Sequence, residues 1–314
     1  MGRPLGINAV MAAASETVYG QVPASTFFKL PLISHGLGEE QALIEDDQLG
    51  FGREGLDPTY DVITADGDLM VPVEQRGIGF WLRQTFGPPV TTGPTGGKYT
   101  HVFTSGAQAL PSTSIEIGQP DEPSYSVHYG LVLNTIKIAL ARSGMLNATL
   151  SMIGQGEVDP TVASVAGSPT PLRGLRFAQA TGSIMVDGVV AGDIVSADVA
   201  YSNQLDKVEV IRADGRIAGV DPGKAMSNGS IVVRGPRGTL FNKSRGKISA
   251  ALSFGWALGD GTSLTFALPR VWLPKPKRPI SGPKGVTSTF NYQASGAAAA
   301  QMTVTLVTDV ASYA

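Results

Sequence analysis

Apolar and small polar residues alternate along much of this chain, and the alternation predicts strands half-buried on one side. In 248–258 the apolar side is Ile248, Ala250, Leu252, Phe254, Trp256 and Leu258. In 302–310 it is Met302, Val304, Leu306, Thr308 and Val310. Leu146, Ala148, Leu150 and Met152 form a third such face, and Ile136, Ile138 and Leu140 continue it just upstream. Arg142, Ser143 and Gly144 join these last two as a hairpin. Shorter strands are expected in 182–190, 196–203 and 207–212, with turns at 228–230 and 259–261. No repeat of 20–50 residues is evident, which argues against a solenoid or propeller.

One stretch departs from this period. In PVEQRGIGFWLRQTFGPP, residues 72–89, Ile78, Trp81, Leu82, Thr85 and Phe86 recur at three- and four-residue spacing. Pro72 suits a first helical turn, Gly87 stops the helix, and Pro88 and Pro89 forbid its return. The expectation is one helix over about 72–86, packed through Ile78, Trp81, Leu82 and Phe86, in a mainly β chain.

The second faces of the strands are small and weakly polar: Ser249, Ala251, Ser253, Gly255 and Ala257 in one, Asn147, Thr149 and Ser151 in another. A sheet wetted by solvent usually carries Lys and Glu there, and those charges also guard against pairing at edges. Only 16% of the 314 residues are charged, against about 25% in typical soluble domains. Both features suit surfaces hidden by assembly. Three stretches lack periodicity: 33–61, 154–175 and the basic, proline-rich 273–285. Structureless segments of that length are usually functional or ordered by a partner.

Formal charge is divided along the chain. Residues 1–130 carry 6 basic and 15 acidic side chains, and residues 131–314 carry 18 and 11. This division fits two faces of one domain, or acidic and basic surfaces that meet between copies. With no cysteine, disulfides and thiolate metal sites are excluded. The apolar run Ala9–Ala14 is too short for a signal peptide, and no uninterrupted run of about 18 apolar residues predicts a membrane-spanning helix.

Candidate chemistry is sparse. His35, His101 and His128 lack metal-ligand spacing and read as surface or turn residues. Residues 65–68, ADGD, lack the remaining ligands of a calcium loop and read as a turn. The Gly-Gly-Lys of 91–100 has Thr92 where a phosphate loop needs glycine, and Tyr99 where it needs Ser or Thr. No nucleophile elbow is present. PKPKRP, 274–279, has no interleaved aromatics for nucleic-acid stacking. No catalytic residue, metal or cofactor is implied, and the weight shifts from enzyme to structural or binding protein.

The order of elements is more telling. An acidic loop, LIEDDQLGFGREG (43–55), precedes an extended ADGDLMVPV that runs into the helix. KYTHVFTSG (98–106), LPSTSIEIG (110–118) and the hairpin 130–157, with its Gly-Gln-Gly, follow, then ATGSIMVDG (180–188) and VSADVAYSNQL (195–205). This order resembles the tail tube proteins of long-tailed bacteriophages across most of 35–205. The resemblance implies a β-sandwich or partial barrel with one packed helix and long interaction loops. It implies a single domain over 1–314 with an N-terminal arm of about 1–25 and a basic arm at 273–285. It also implies hexameric rings stacked into a hollow tube, with loops and arms bridging successive rings. The genome passes through the lumen. The expected partners are further copies of the chain, the tape measure, terminator and distal tail proteins, and double-stranded DNA in transit without specific binding. No membrane is involved, and the expected location is the virion tail, assembled in the host cytoplasm.

Within that picture the helix covers the sheet side away from the lumen, and the lumen wall is acidic and small-polar. Lys275, Lys277 and Arg278 are expected outside the lumen, at subunit contacts opposite Glu39, Glu40, Asp46 and Asp47 of a neighbour. The competing reading is a secreted β-sandwich adhesion or carbohydrate-binding module. It predicts a signal peptide and exposed aromatic platforms, and neither is clear.

Overall fold

The computed structural model describes residues 3–235, 237–278, 280, 282, 285–297 and 299–313. Four positions of the 273–285 arm, Pro279, Ser281, Pro283 and Lys284, lie outside the described residues. The fold is mainly β, with two α-helices among the described residues and strands that do not close into a barrel.

The first half of the chain builds strands β1 (Val10–Ser15), β2 (Phe28–Leu30), β3 (Ser34–His35), β4 (Gly38–Ile44) and β5 (Thr59–Pro72). Helix α1 (Gly77–Phe86) follows, then β6 (Val90–Thr95), β7 (Lys98–Thr104), β8 (Thr113–Gln119), β9 (Ser124–Leu140), β10 (Asn147–Gly154), β11 (Gly156–Thr161) and β12 (Thr170–Pro171). The second half supplies β13 (Gly182–Val186), β14 (Val189–Val190), β15 (Ile194–Ser202), β16 (Asp206–Val208), β17 (Gly219–Asp221) and β18 (Met226–Arg234). Helix α2 (Thr239–Gly246) leads to β19 (Ala250–Ala257), β20 (Ser263–Trp272), β21 (Thr287–Ala294) and β22 (Thr303–Thr308).

One antiparallel ladder organises these elements. It runs β4–β5–β10–β9–β15–β18–β21, each strand hydrogen-bonded to the next. Its inward positions are the alternating apolar ones. Leu146, Ala148, Leu150 and Met152 are buried, as are Ile136, Ile138 and Leu140. Strands β1 and β8 cover the back of the first half, and β13, β19, β20, β22 and β7 cover the second. A single large hydrophobic cluster runs through both halves.

Several local expectations are corrected. Pro72 belongs to β5, where it stands opposite Asn147. The next residue, Val73, donates its N–H to the Leu146 carbonyl, so the ladder holds the chain extended and the helix starts only at Gly77. Buried Glu74 accepts the Gly77 and Arg76 N–H groups there, satisfying donors that the first turn leaves free. Residues 65–68 and 228–230 are strand rather than turn. The stretch 33–61 is a hairpin of β4 and β5 with an irregular tip, and 154–175 contains β11 and β12. Helix α2 escaped the sequence reading because it is eight residues long and buries only Leu240, Phe241 and Ser244.

The two halves repeat one unit. Ser34 pairs with Met70 as Ser196 pairs with Val232. Gly38 pairs with Asp66 as Ala200 pairs with Asn228. On the other side of the long strand, Leu69 faces Leu150 as Ile231 faces Phe290, and Gly67 faces Met152 as Gly229 faces Tyr292. The spacing between counterparts is constant along each strand. A Cβ at Gly67 would collide with the carbonyl oxygen of Gly36, and one at Gly229 with that of Asp198, its counterpart. Each long strand then leads through Arg-Gly-x-x-Phe into a helix, Arg76 to Phe80 and Arg237 to Phe241. Likewise β8 and β9 correspond to β19 and β20: Val132 meets Ile153 as Trp272 meets Gln293.

Helix α1 packs through Ile78, Trp81, Leu82 and Phe86, all buried. Phe80 meets the Trp81 ring edge-on at 5.1 Å, and Phe86 lies 4.6 Å from the Tyr201 ring. The Asn203 amide donates to the carbonyls of Thr85 and Leu133, tying the end of α1 to β9. Trp81 is 1% exposed, so Trp81→Ala is expected to cost about 3–5 kcal/mol, the range for deleting a buried aromatic. Chemical denaturation measures this directly, and an unchanged midpoint would contradict the packing.

Candidate assembly surfaces

The outward face of the central ladder is wide and lined mainly by small polar residues, with a few charges among them. From β5 it presents Asp66 and Asp68, from β10 Thr149 and Ser151, and from β9 Thr135 and Lys137. Strand β15 adds Ser196, Asp198 and Ser202, β18 adds Asn228 and Ser230, and β21 adds Thr289, Asn291 and Gln293. Rows cross several strands, as in Asp68–Ser151–Thr135–Ser202. Asp66, Asp68 and Asp198 stand on this face against Lys137 and, at the end of β18, exposed Arg234. Lys207 reaches over from the β16–β17 hairpin to Asp66 at 2.7 Å. The helices lie on the opposite, buried side.

A second surface is the β4–β5 arm. Its apolar side chains face solvent, with Leu49 94% and Tyr60 73% exposed, and Leu43, Phe51 and Val62 are also open. Asp46 and Asp47 sit at the tip, where Asp46 accepts the Gln48 N–H. The arm is braced at its base. Arg216 donates to both carboxylate oxygens of Glu39, at 2.6 and 2.9 Å. The Glu157 N–H donates to Glu39 at 2.8 Å, and the Glu39 N–H returns a bond to Glu157. Burial opposes the charge on Glu39, but these donors outweigh it and hold its pKa below the usual carboxylate value. Beside them His128 is buried, 3.7 Å from Glu157, and burial lowers its pKa. His101 is buried too, between Thr91 and the Val310 carbonyl. Neither is a surface histidine.

The acids and bases named from sequence are therefore distributed as follows. Glu39 is bound within its own chain to Arg216, while Glu40, Asp46 and Asp47 are exposed. Lys275 and Lys277 are exposed, and the Arg278 guanidinium lies 4.6 Å over the Phe241 ring of α2. The chain itself brings none of these three bases to any of these four acids. Sequence reasoning missed the Glu39–Arg216 brace because the partners are far apart in the chain. Among the described residues no group of three or more His, Asp or Glu side chains is placed to hold a metal ion, and no helix is long and apolar enough to cross a membrane.

The chain is a mainly β subunit with an extended open ladder and a long exposed arm. Over residues 6–294 the sequence matches the family described as phage tail tube protein, and the chain belongs to that family. It is thus a structural component of a phage tail. No curated protein matches the chain.

The arm brace is testable. Arg216→Gln is expected to speed amide exchange in Gly38–Ile44 while leaving Ala148–Met152 unchanged, and equal protection in both proteins would contradict it. Its pH dependence has a defined sign. Glu39 has a lowered folded pKa, so its contribution is complete above 4.5 and is lost as pH falls through the lower folded value. Neutral His128 contributes fully above 6.5 and loses that contribution as pH falls below it. Protection of the arm amides, taken relative to the intrinsic exchange rate at each pH, should fall in two steps on acidification, and a flat protection profile would count against the brace.

Proposed function

We propose that copies of this chain close into rings, that the rings stack into the hollow tube of the tail, and that the viral genome passes through the lumen. The observation that carries this reading is the open central ladder with its small, weakly acidic outward face. A sheet of this width leaves two unpaired edges, and joining copies edge to edge removes both. Contacts around a ring are heterologous and close, while contacts between stacked rings are heterologous and propagate. The resemblance noted from the sequence implies hexameric rings, six subunits in each.

The lumen wall is then the outward face of the ladder. Lys or Arg lining the wall would bind phosphates with salt-sensitive affinity and act as friction on moving DNA. Asp66, Asp68 and Asp198 among Ser, Thr and Asn repel the phosphates and keep the duplex centred. The α1 and α2 layers face away from the DNA. The exposed arm supplies apolar surface for contact between subunits, and other tail proteins cap and fill the tube. Assembly takes place in the host cytoplasm.

Concentrated purified protein, viewed by negative-stain microscopy, is expected to show regular tubes or stacked rings. Monomer alone, across salt conditions and with initiating tail proteins present, would contradict the proposal. In a map of such tubes the lumen should carry a negative calculated potential, and a positive one would reject the assignment of the wall.

A further inference from the structure

The internal repeat contains its own model of the contact between units. Within the chain, β9 of the first unit pairs antiparallel with β15 of the second, from Leu140 opposite Ala197 to Thr135 opposite Ser202. Each partner in this seam has a counterpart at the other end of the molecule. The counterpart of β15 is β3 and β4 of the first unit, which pair with β5 alone. The counterpart of the β9 segment 135–140 is 275–280, the chain that continues from β20.

Among its described residues that continuation pairs with no strand. Strand β20 meets β21 only at Val271 and Trp272. Beyond them a groove of about 1170 Å³ opens, lined by Trp272, Lys275, Asn291 and Gln293 among others. The segment nevertheless keeps the facing of its counterpart. Leu273 is buried as Leu133 is, and Arg278 covers Phe241 of α2 where Ile138 is buried in the first unit. Lys275 and Lys277 are exposed, in the positions of Thr135 and Lys137. In the internal seam the even-numbered β9 residues turn their N–H and C=O groups to β15, as the bond from the Asn203 N–H to the Asn134 carbonyl shows. Their counterparts here include Pro274 and Pro276, which lack N–H groups, so on the seam edge Pro276 offers only its carbonyl while Arg278 keeps an N–H.

We propose that neighbouring copies join through a second version of the β9–β15 seam, with Ser34–Glu40 of one copy antiparallel to Lys275–Ile280 of the next. Because each chain supplies two units, three chains fill the six positions of a ring. The proposal rests on the tube reading above. Transferring the internal register sets Glu40 opposite Lys275 and Gly38 opposite Lys277. The free edge carries exposed acid and its partner exposed base, so the contact is complementary in charge. This pairing departs from one expectation from the sequence, that Lys275 and Lys277 lie outside the lumen. The basic segment lies at a subunit contact, but Lys275 and Lys277 turn to the lumen face at the seam, with Glu40 beside them.

The arm obeys the same relation. The second unit's counterpart of the arm folds back on the first unit, with Ile63 donating to the Gly215 carbonyl and Lys207 bonding Asp66. The exposed β4–β5 arm therefore lies over the second unit of the adjoining copy, which covers its apolar side chains.

The chain contains no cysteine, so an introduced pair reports one contact. Directly opposed residues of an antiparallel pair have Cβ atoms about 4.5–5.5 Å apart, near disulfide range. Tubes of the Glu40→Cys, Lys275→Cys double variant should give, on oxidation, a covalent ladder that ends at three chains. Each single variant, and a Ser34→Cys, Lys275→Cys control, should stay uncrosslinked. Tubes without the crosslink would overturn the seam, and a ladder reaching six would overturn the count. Failure of the parent protein to form any tube, by microscopy, would instead overturn the tube reading and this inference with it. If the double cysteine variant alone fails to assemble, charge reversal decides. Glu40→Lys or Lys275→Glu should raise the concentration needed for assembly at least about tenfold, and the two together should restore it. No restoration would overturn the pairing.

Discussion

The unpaired edge of an open antiparallel ladder is the constraint from which the rest of this structure follows. Every edge residue carries an N–H and a C=O that need partners. The chain resolves this once internally, where β9 meets β15. That seam joins two versions of one unit into a ladder from β4 to β21. It leaves the same problem at both ends. Edge strands of a monomer are commonly blunted by charge or by covering elements. Here the first end carries Ser34, His35 and Gly36, all exposed, while the prolines and lysines of the other restrict which strand can pair there.

The layer behind the ladder explains why a β chain needs helices at all. One face of the sheet must remain small and wet, so the other must be covered by something that buries much apolar area from a short segment. Helix α1 does this with Ile78, Trp81, Leu82 and Phe86. Helix α2 does it with Leu240 and Phe241, the latter edge-on to Phe290 at 4.9 Å. The second unit has the smaller helix and takes additional cover from β22, which pairs with β7 of the first unit. The hydrophobic cluster therefore crosses the seam. The two units are bound by core packing as well as by the ladder, and the geometry of the seam is held rigid.

Much of the ladder was legible because its strands are buried on one side only. Ala148, Leu150 and Met152 alternate with Asn147, Thr149 and Ser151, and the structure buries the first set. The end of α1 was legible from Gly87. Its start was not, because Pro72 fits a helix or a strand and only pairing with Asn147 decides. The arm was unreadable as strand because Leu43, Tyr60 and Val62 are apolar yet exposed, which erases the alternation. His128 and Glu39 read as surface groups, since nothing local announces that β9, β11 and Arg216 converge on them. The repeat was hidden for another reason. It survives in register, burial and close approach, at Gly67 and Gly229 for example, while most side chains differ. Of the acids and bases singled out in the sequence, Glu39 is bound to Arg216 within its own chain, and the contact proposed between copies uses Glu40 with Lys275.

The central claim is that the seam inside the chain is copied between chains. Electron cryomicroscopy of assembled tubes, at a resolution that traces individual strands, tests it most directly. The account predicts an unbroken ladder around the lumen, with residues 34–40 of each chain beside 275–280 of its neighbour and three chains in each ring. A map in which residues 34–40 face solvent, or meet a different ring, or in which six chains form each ring, would contradict it.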